Sequence, residues 1–143
     1  MQIVIGVDPD SVAFGVAVYQ DSVLTDLKML PLVELVTLAA GAPGDVLVSI
    51  ENVMANQFVY ARNQKASKAA QSKVAMSIGR CQQAQVELMR MLDHYQITYV
   101  LHKPQKGNWA DKRMIFENAT GWTRQSNADT RAAAFIGFLA LKK

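Results

Sequence analysis

A strand that is apolar on both sides cannot lie on a protein surface, and residues 46–50, Val-Leu-Val-Ser-Ile, form such a run, closed by Glu51. Its brevity and hydrophobicity place it inside a sheet covered on both faces. The covering layers must be helices, and the rest of the chain supplies them. Met1 to Val7 is a second short run rich in Ile and Val, ending at the turn residues Asp8-Pro9-Asp10-Ser11. Val12 to Tyr19, with Gly15 inside, and Val23 to Leu30, after an Asp21-Ser22 turn, read as two more strands. Three strands so closely spaced predict an antiparallel meander. Pro31 to Ala40 reads as a helix, with Pro31 in its first turn and Leu32, Leu35, Val36 and Ala39 on one face. Asn52 to Gln64 is polar and aromatic and reads as a loop. A long helix is expected from Ala66 to His94, its core stripe made by Ala70, Val74, Ile78, Cys81, Leu88 and Leu92. Ile97 to Leu101 is a fifth strand, His102 to Ala110 a loop, Asp111 to Asn118 a short helix and Asn127 to Leu141 a final one. The order βββαβαβαα predicts an α/β fold, a mixed five-stranded sheet flanked by helices, as one domain over residues 1–143.

Composition narrows the class. Half of the residues are hydrophobic and 19% are charged, which excludes a disordered chain. Fifteen Lys and Arg against twelve Asp and Glu give +3, too mild a balance to indicate nucleic acid without the placement of the charges. The single cysteine, Cys81, cannot form an intrachain disulfide, and no Cys/His spacing suggests zinc. No run approaches the ~20 apolar residues of a membrane span, and the N-terminus opens straight into a strand. A soluble, cytoplasmic protein with no membrane partner is expected.

Three carboxylates stand where buried elements meet the surface. Asp8 and Glu51 each end an apolar strand, and Asp129 lies in the first turn of a helix that continues mostly apolar. Singly, each has an ordinary explanation: a turn residue, a strand end, a partner for a helix dipole. Acids at the C-terminal ends of sheet strands often line a crevice, and three of them converging repel one another unless a cation intervenes. Mg²⁺ takes oxygen ligands, usually a few carboxylates with water and substrate phosphate. The constellation therefore points to phosphate chemistry with one or two bound Mg²⁺ ions.

The run Ile5-Gly6-Val7-Asp8-Pro9-Asp10-Ser11, followed by Phe14-Gly15-Val16-Ala17-Val18, resembles the opening of RuvC-type Holliday-junction resolvases. Ile50-Glu51-Asn52-Val53-Met54-Ala55-Asn56 is similar to that family's second acidic motif, and Asn127-Ala128-Asp129, opening an alanine-rich helix, to its last. The resemblance implies a ribonuclease H-like fold and a homodimer that nicks opposed strands of branched DNA with Mg²⁺ or Mn²⁺. It also implies that Asp8, Glu51 and Asp129 are the metal-binding and catalytic acids. The chain departs from the family pattern in three places. Asp10 replaces a glycine, Ser126 replaces an Asp or His ligand three residues before the last acid, and Met54 replaces an aromatic wedge, with Phe58 and Tyr60 just downstream.

From Asn52 to Val86 there is no acid but five basic residues, Arg62, Lys65, Lys68, Lys73 and Arg80. The last four of the long helix's neighbourhood, Lys65, Lys68, Lys73 and Arg80, fall opposite the Val74–Cys81–Leu88 stripe, a one-sided basic face suited to a phosphate backbone. A second basic group is His102, Lys103, Lys106, Lys112 and Arg113. In the resolvases a lysine after the fifth strand approaches the scissile phosphate and another follows, so the resemblance assigns Lys103 or Lys106 a catalytic role and Lys112, with Arg113, a DNA contact. Trp109 either stacks on a base or pins the loop to the core, the second being favoured. His94 reads as a helix C-terminal residue.

The expected activity is metal-dependent hydrolysis of a phosphodiester in Holliday junctions or other branched DNA, without a small-molecule cofactor. Its rivals are a ribonuclease H-like RNA-processing nuclease, a non-catalytic branched-DNA binder, and a phosphotransferase of the actin and sugar-kinase type. The chain is too short for the two lobes that the last requires.

Overall fold

A computed structural model describes residues 1–55 and 67–141. The elements are β1 (Gln2–Asp8), β2 (Phe14–Gln20), β3 (Val23–Leu30), α1 (Leu32–Gly41), β4 (Asp45–Glu51), a 3₁₀ turn (Val53–Ala55), α2 (Lys68–His94), β5 (Tyr99–His102), α3 (Arg113–Thr120) and α4 (Ala128–Leu139). They form one mixed five-stranded sheet in the order β3-β2-β1-β4-β5. The first three strands are the expected antiparallel meander, and β4 and β5 run parallel to β1. The β2–β3 connection is the pair Asp21-Ser22, both with positive φ, the backbone of a tight hairpin turn.

Strand alternation sorts the side chains into two cores. Ile3, Ile5 and Val7 of β1 face Val48 and Ile50 of β4, with Leu35 and Val36 of α1 and Leu88 and Leu92 of α2. Val4 of β1 faces the other way, with Ala17, Tyr19, Trp109, Phe116, Ala133 and Ala134. Helices α1 and α2 thus cover one face, and α3 and α4 cover the other.

Helix α4 lies unusually close to the sheet. A Cβ on Gly6 would overlap the carbonyl oxygen of Ala133 and stand 2.7 Å from the Gly137 nitrogen. A Cβ on Gly15 would stand 2.5 Å from the carbonyl oxygen of Asp129. Two buried hydroxyls then fasten the helix: Tyr19 donates to the Ala134 carbonyl at 2.6 Å, and Ser49 donates to the Ile136 carbonyl at 2.7 Å. The helix starts at a capping box in which the Asn127 side chain and Thr130 satisfy each other's backbone N–H groups.

Four expectations are corrected at the level of elements. Strand β5 continues to His102, because that residue pairs with Glu51. Pro31 is not in the first turn of α1 but precedes it, with extended backbone. A 3₁₀ turn occupies part of the stretch after Glu51 that reads as loop. The core stripe of α2 holds only at its C-terminal end, where Gln85, Leu88 and Leu92 are buried, while Val74 is 42% exposed. The reason is length. Twenty-seven helical residues span about 40 Å, whereas a seven-residue strand covers about 23 Å. No helix among the described residues is long and apolar enough to cross a membrane.

Candidate active site

Register brings the strand-end acids together. In β1, Val4 and Gly6 face α4, so Asp8, two residues on, projects to that face as well. In β4, Ser49 bonds to α4 and Ile50 joins the opposite core, so Glu51 returns to the α4 face. Val7 lies opposite Ile50 in the parallel pair, which sets Asp8 and Glu51 on neighbouring strands at the same end of the sheet. Asp129 reaches that end from the first turn of α4, which packs over Gly15, the residue paired with Asp8.

The electrostatics record this convergence. The carboxyl of Asp8 is pushed up to about 8, first by burial, then by the charges of Glu51, Asp129 and Asp10, and by a hydrogen bond with Asp129. Burial also raises Glu51. Cys81 of α2 lies near this rim: burial raises its thiol, Asp10, Asp8 and Asp129 raise it further, and the backbone N–H of Ser11 opposes them. The middle of α2 therefore borders the acidic turn. Between them runs an open groove of about 440 Å³ lined by Ser11, Val12, Phe14, Arg80, Gln83 and Glu87, among others.

The donor chemistry suits a hard divalent cation: carboxylate oxygens only, in a neighbourhood where burial first and mutual repulsion second raise the Asp8 carboxyl. As the side chains stand, however, no three His, Cys, Asp or Glu residues among the described ones are grouped closely enough to hold one metal ion. A pair, Asp8 with Asp129, is formed; Glu51 is an electrostatic neighbour of it.

The basic residues fall in two places. Lys68, Lys73 and Arg80 are exposed along α2. Lys103 and Lys106 are exposed in the loop leaving β5, and Lys112 and Arg113 are exposed at the start of α3. Arg113 pairs with Glu117 at 3.2 Å; among the described residues the other six form no ion pair. Arg62, Lys65, Phe58 and Tyr60 lie outside the described residues. Trp109 takes the core position: it is 5% exposed and packs against Phe116, Phe135 and Phe138.

Two positioning side chains escaped the sequence. Gln85, wholly buried on α2, accepts from the backbone N–H groups of Val53 (2.8 Å) and Met54 (3.3 Å) and donates to Asn52 (3.0 Å), fixing the chain just after Glu51. Arg131 donates through Nε and Nη2 to the Ala110 carbonyl at 3.0 and 2.8 Å, and through Nη1 to Ser126 at 2.9 Å. It ties the loop after β5 to the lead-in of α4, and it engages the Ser126 hydroxyl. A polar residue within an otherwise apolar helical stripe was the only available signal for Gln85 and Arg131.

No protein-family model and no curated protein matches the chain. Solved structures do. The chain is similar to Thermus thermophilus RuvC in complex with a Holliday junction substrate, with a TM-score of 0.57 and 16% identity over 96% of this chain and 91% of that one. A second Thermus thermophilus RuvC structure matches with a TM-score of 0.52 and 16% identity, over 95% and 91%. The fold is thus the RuvC-like, ribonuclease H-like α/β fold.

Proposed function

We propose that the chain is a structure-selective DNA endonuclease, cutting Holliday junctions or other branched DNA by metal-dependent phosphodiester hydrolysis. One observation carries this: Asp8, Glu51 and Asp129, from β1, β4 and α4, lie at one end of the sheet, where burial first and then the neighbouring acidic charges raise the Asp8 carboxyl to about 8. The fold shared with a RuvC bound to a Holliday junction supports the choice of substrate. Asp8, Glu51 and Asp129 would hold Mg²⁺ or Mn²⁺, one or two ions. When bound, such ions supply an activated water and neutralise charge on the phosphate. To serve as a ligand, Asp8 would have to give up the proton that burial and its acidic neighbours favour. Lys103 or Lys106 neutralises charge developing on the phosphoryl oxygens. Lys68, Lys73, Arg80, Lys112 and Arg113 hold the DNA backbone, together with Arg62 and Lys65. Paired cuts on a four-way junction need two sites, hence a homodimer of a single-domain, cytoplasmic chain.

The test is Glu51→Gln on synthetic four-way and forked DNA with Mg²⁺. Cleavage should fall by at least a hundredfold; undiminished cleavage overturns the assignment. A second reading, a branched-DNA binder that does not cut, is favoured by the lack of a three-ligand group among the described residues. Tight junction binding without cleavage under Mn²⁺ would establish it. Comparison with structured RNA separates an RNA-processing nuclease.

A further inference from the structure

His102 has no place in the assignment above, yet it is the one described residue with a sealed and unsatisfied side-chain atom. Its Nε2 is shut off from solvent and has no hydrogen-bond partner among the described residues. Leaving such a group unpaired is unfavourable, and water cannot reach it as it stands. Its neighbour is settled by register. His102 is the cross-strand partner of Glu51 in the parallel β4–β5 pair. Directly paired residues project to the same face, so His102 stands beside Glu51 on the α4 side, and the two backbones are joined by the Asn52 N–H bond to the His102 carbonyl at 2.7 Å. The Glu51 side chain forms no hydrogen bond or ion pair among the described residues either, although it is partly buried. The two side chains thus leave neighbouring strands, whose backbones lie about 4.8 Å apart, on the same face. Rotation about the Glu51 side-chain bonds would carry its carboxylate to the unpaired Nε2.

We infer that His102 is a positioning residue for Glu51, donating Nε2–H to one carboxylate oxygen and so turning the other toward Asp8 and Asp129. This rests on the metal-nuclease assignment and deepens it: the pair supplies the third ligand that the acids lack as they stand. Fixing a ligand through its outer partner is typically worth ~10–100-fold in metal affinity.

The experiment compares His102→Leu, His102→Gln and His102→Asn. Gln places an amide nitrogen near the position of Nε2, and Asn places one near Nδ1. Mn²⁺ affinity is measured by calorimetry without DNA. His102→Leu and His102→Asn should bind Mn²⁺ ~10–100-fold more weakly, and His102→Gln should stay within a few-fold of the parent. In a Glu51→Gln background, His102→Leu should change nothing further. The chain has two histidines, and His94 is exposed, so ¹⁵N-labelled imidazole signals are assignable. The His102 Nε2–H signal should move downfield on adding Mg²⁺, and Glu51→Gln should abolish the movement. The inference is overturned if His102→Leu binds Mn²⁺ like the parent, if Asn rescues as well as Gln, or if the Leu effect persists undiminished in Glu51→Gln. If Glu51→Gln itself binds Mn²⁺ and cuts junction DNA like the parent, the nuclease assignment fails first.

Discussion

Replacing Gly15 by alanine probes the seam that holds the site together. The added Cβ would stand 2.5 Å from the Asp129 carbonyl oxygen, 2.8 Å from its carbonyl carbon and 3.1 Å from its Cβ. A comfortable carbon–oxygen separation is roughly 3.4 Å, so the first turn of α4 must retreat by about 0.9 Å. Neither wall can yield cheaply: one is the β2 backbone, and the other is a helix fastened by the Tyr19 and Ser49 hydroxyls. Overpacking of this kind costs about 1–3 kcal/mol. Asp129 moves with the turn, away from Asp8. A displacement of about 1 Å in a catalytic constellation can cost on the order of 10²-fold in rate. Gly15→Ala should therefore unfold at lower urea concentration by an amount equivalent to about 2 kcal/mol, and should cut four-way DNA roughly a hundredfold more slowly under single-turnover conditions. Gly41→Ala is the control, since a Cβ there meets nothing within 4 Å; it should keep both stability and rate. If Gly15→Ala folds as stably as the parent and cuts at the parental rate, the close approach does not set the position of Asp129, and the reasoning fails.

Protonation of Asp8 gives a second expectation. Its carboxyl is raised to about 8 from 3.8, so the folded, metal-free protein holds a proton that the unfolded chain releases, and stability falls as pH rises from about 4 to 8. Asp8→Asn should flatten that dependence and stabilise the metal-free protein at pH 7 by something on the order of 3 kcal/mol, while abolishing cleavage; urea curves in EDTA at pH 5 and 8 decide. Gln85→Leu strands the Val53 and Met54 N–H groups, so a loss of about 1–3 kcal/mol is expected, and parental stability in urea would show that those bonds carry nothing. Lys73→Gln with Arg80→Gln should lower the slope of log Kd against log salt by about 1–2 for branched DNA; an unchanged slope would remove α2 from the DNA face.

The strand-end acids were legible because the two-residue period of a strand and its abrupt end are properties of a few consecutive residues. Asp8 and Glu51 could be read from runs of seven and five residues, and Asp129 from its place ahead of an apolar helix. That Asp8 and Glu51 lie at the same end of the sheet follows from register, which joins Val7 to Ile50 across more than forty residues, and no local pattern encodes it. Gly15 was visible only as a glycine inside a strand; that a helix approaches it, and which one, was not. Gln85, Arg131 and His102 were opaque for the same reason: each takes its meaning from a partner 21 to 51 positions away. The exposed first half of α2 was misjudged because periodicity reports which face is apolar and not whether anything lies against it.

The two hydroxyl ties on α4 have a mechanical consequence. Tyr19 and Ser49 anchor the carbonyls of Ala134 and Ile136 to strands β2 and β4, and the glycines at 6 and 15 remove any slack between helix and sheet. Asp129 and Asp8 therefore belong to one rigid block. If the chain binds branched DNA as proposed, accommodation to that bent polyanion falls to the opposite wall, where α2 is buried at Gln85, Leu88 and Leu92 and its basic N-terminal half is exposed. On the proposed function, the acids sit on the fixed side, and the exposed basic half of α2 is the side left to adjust to the substrate.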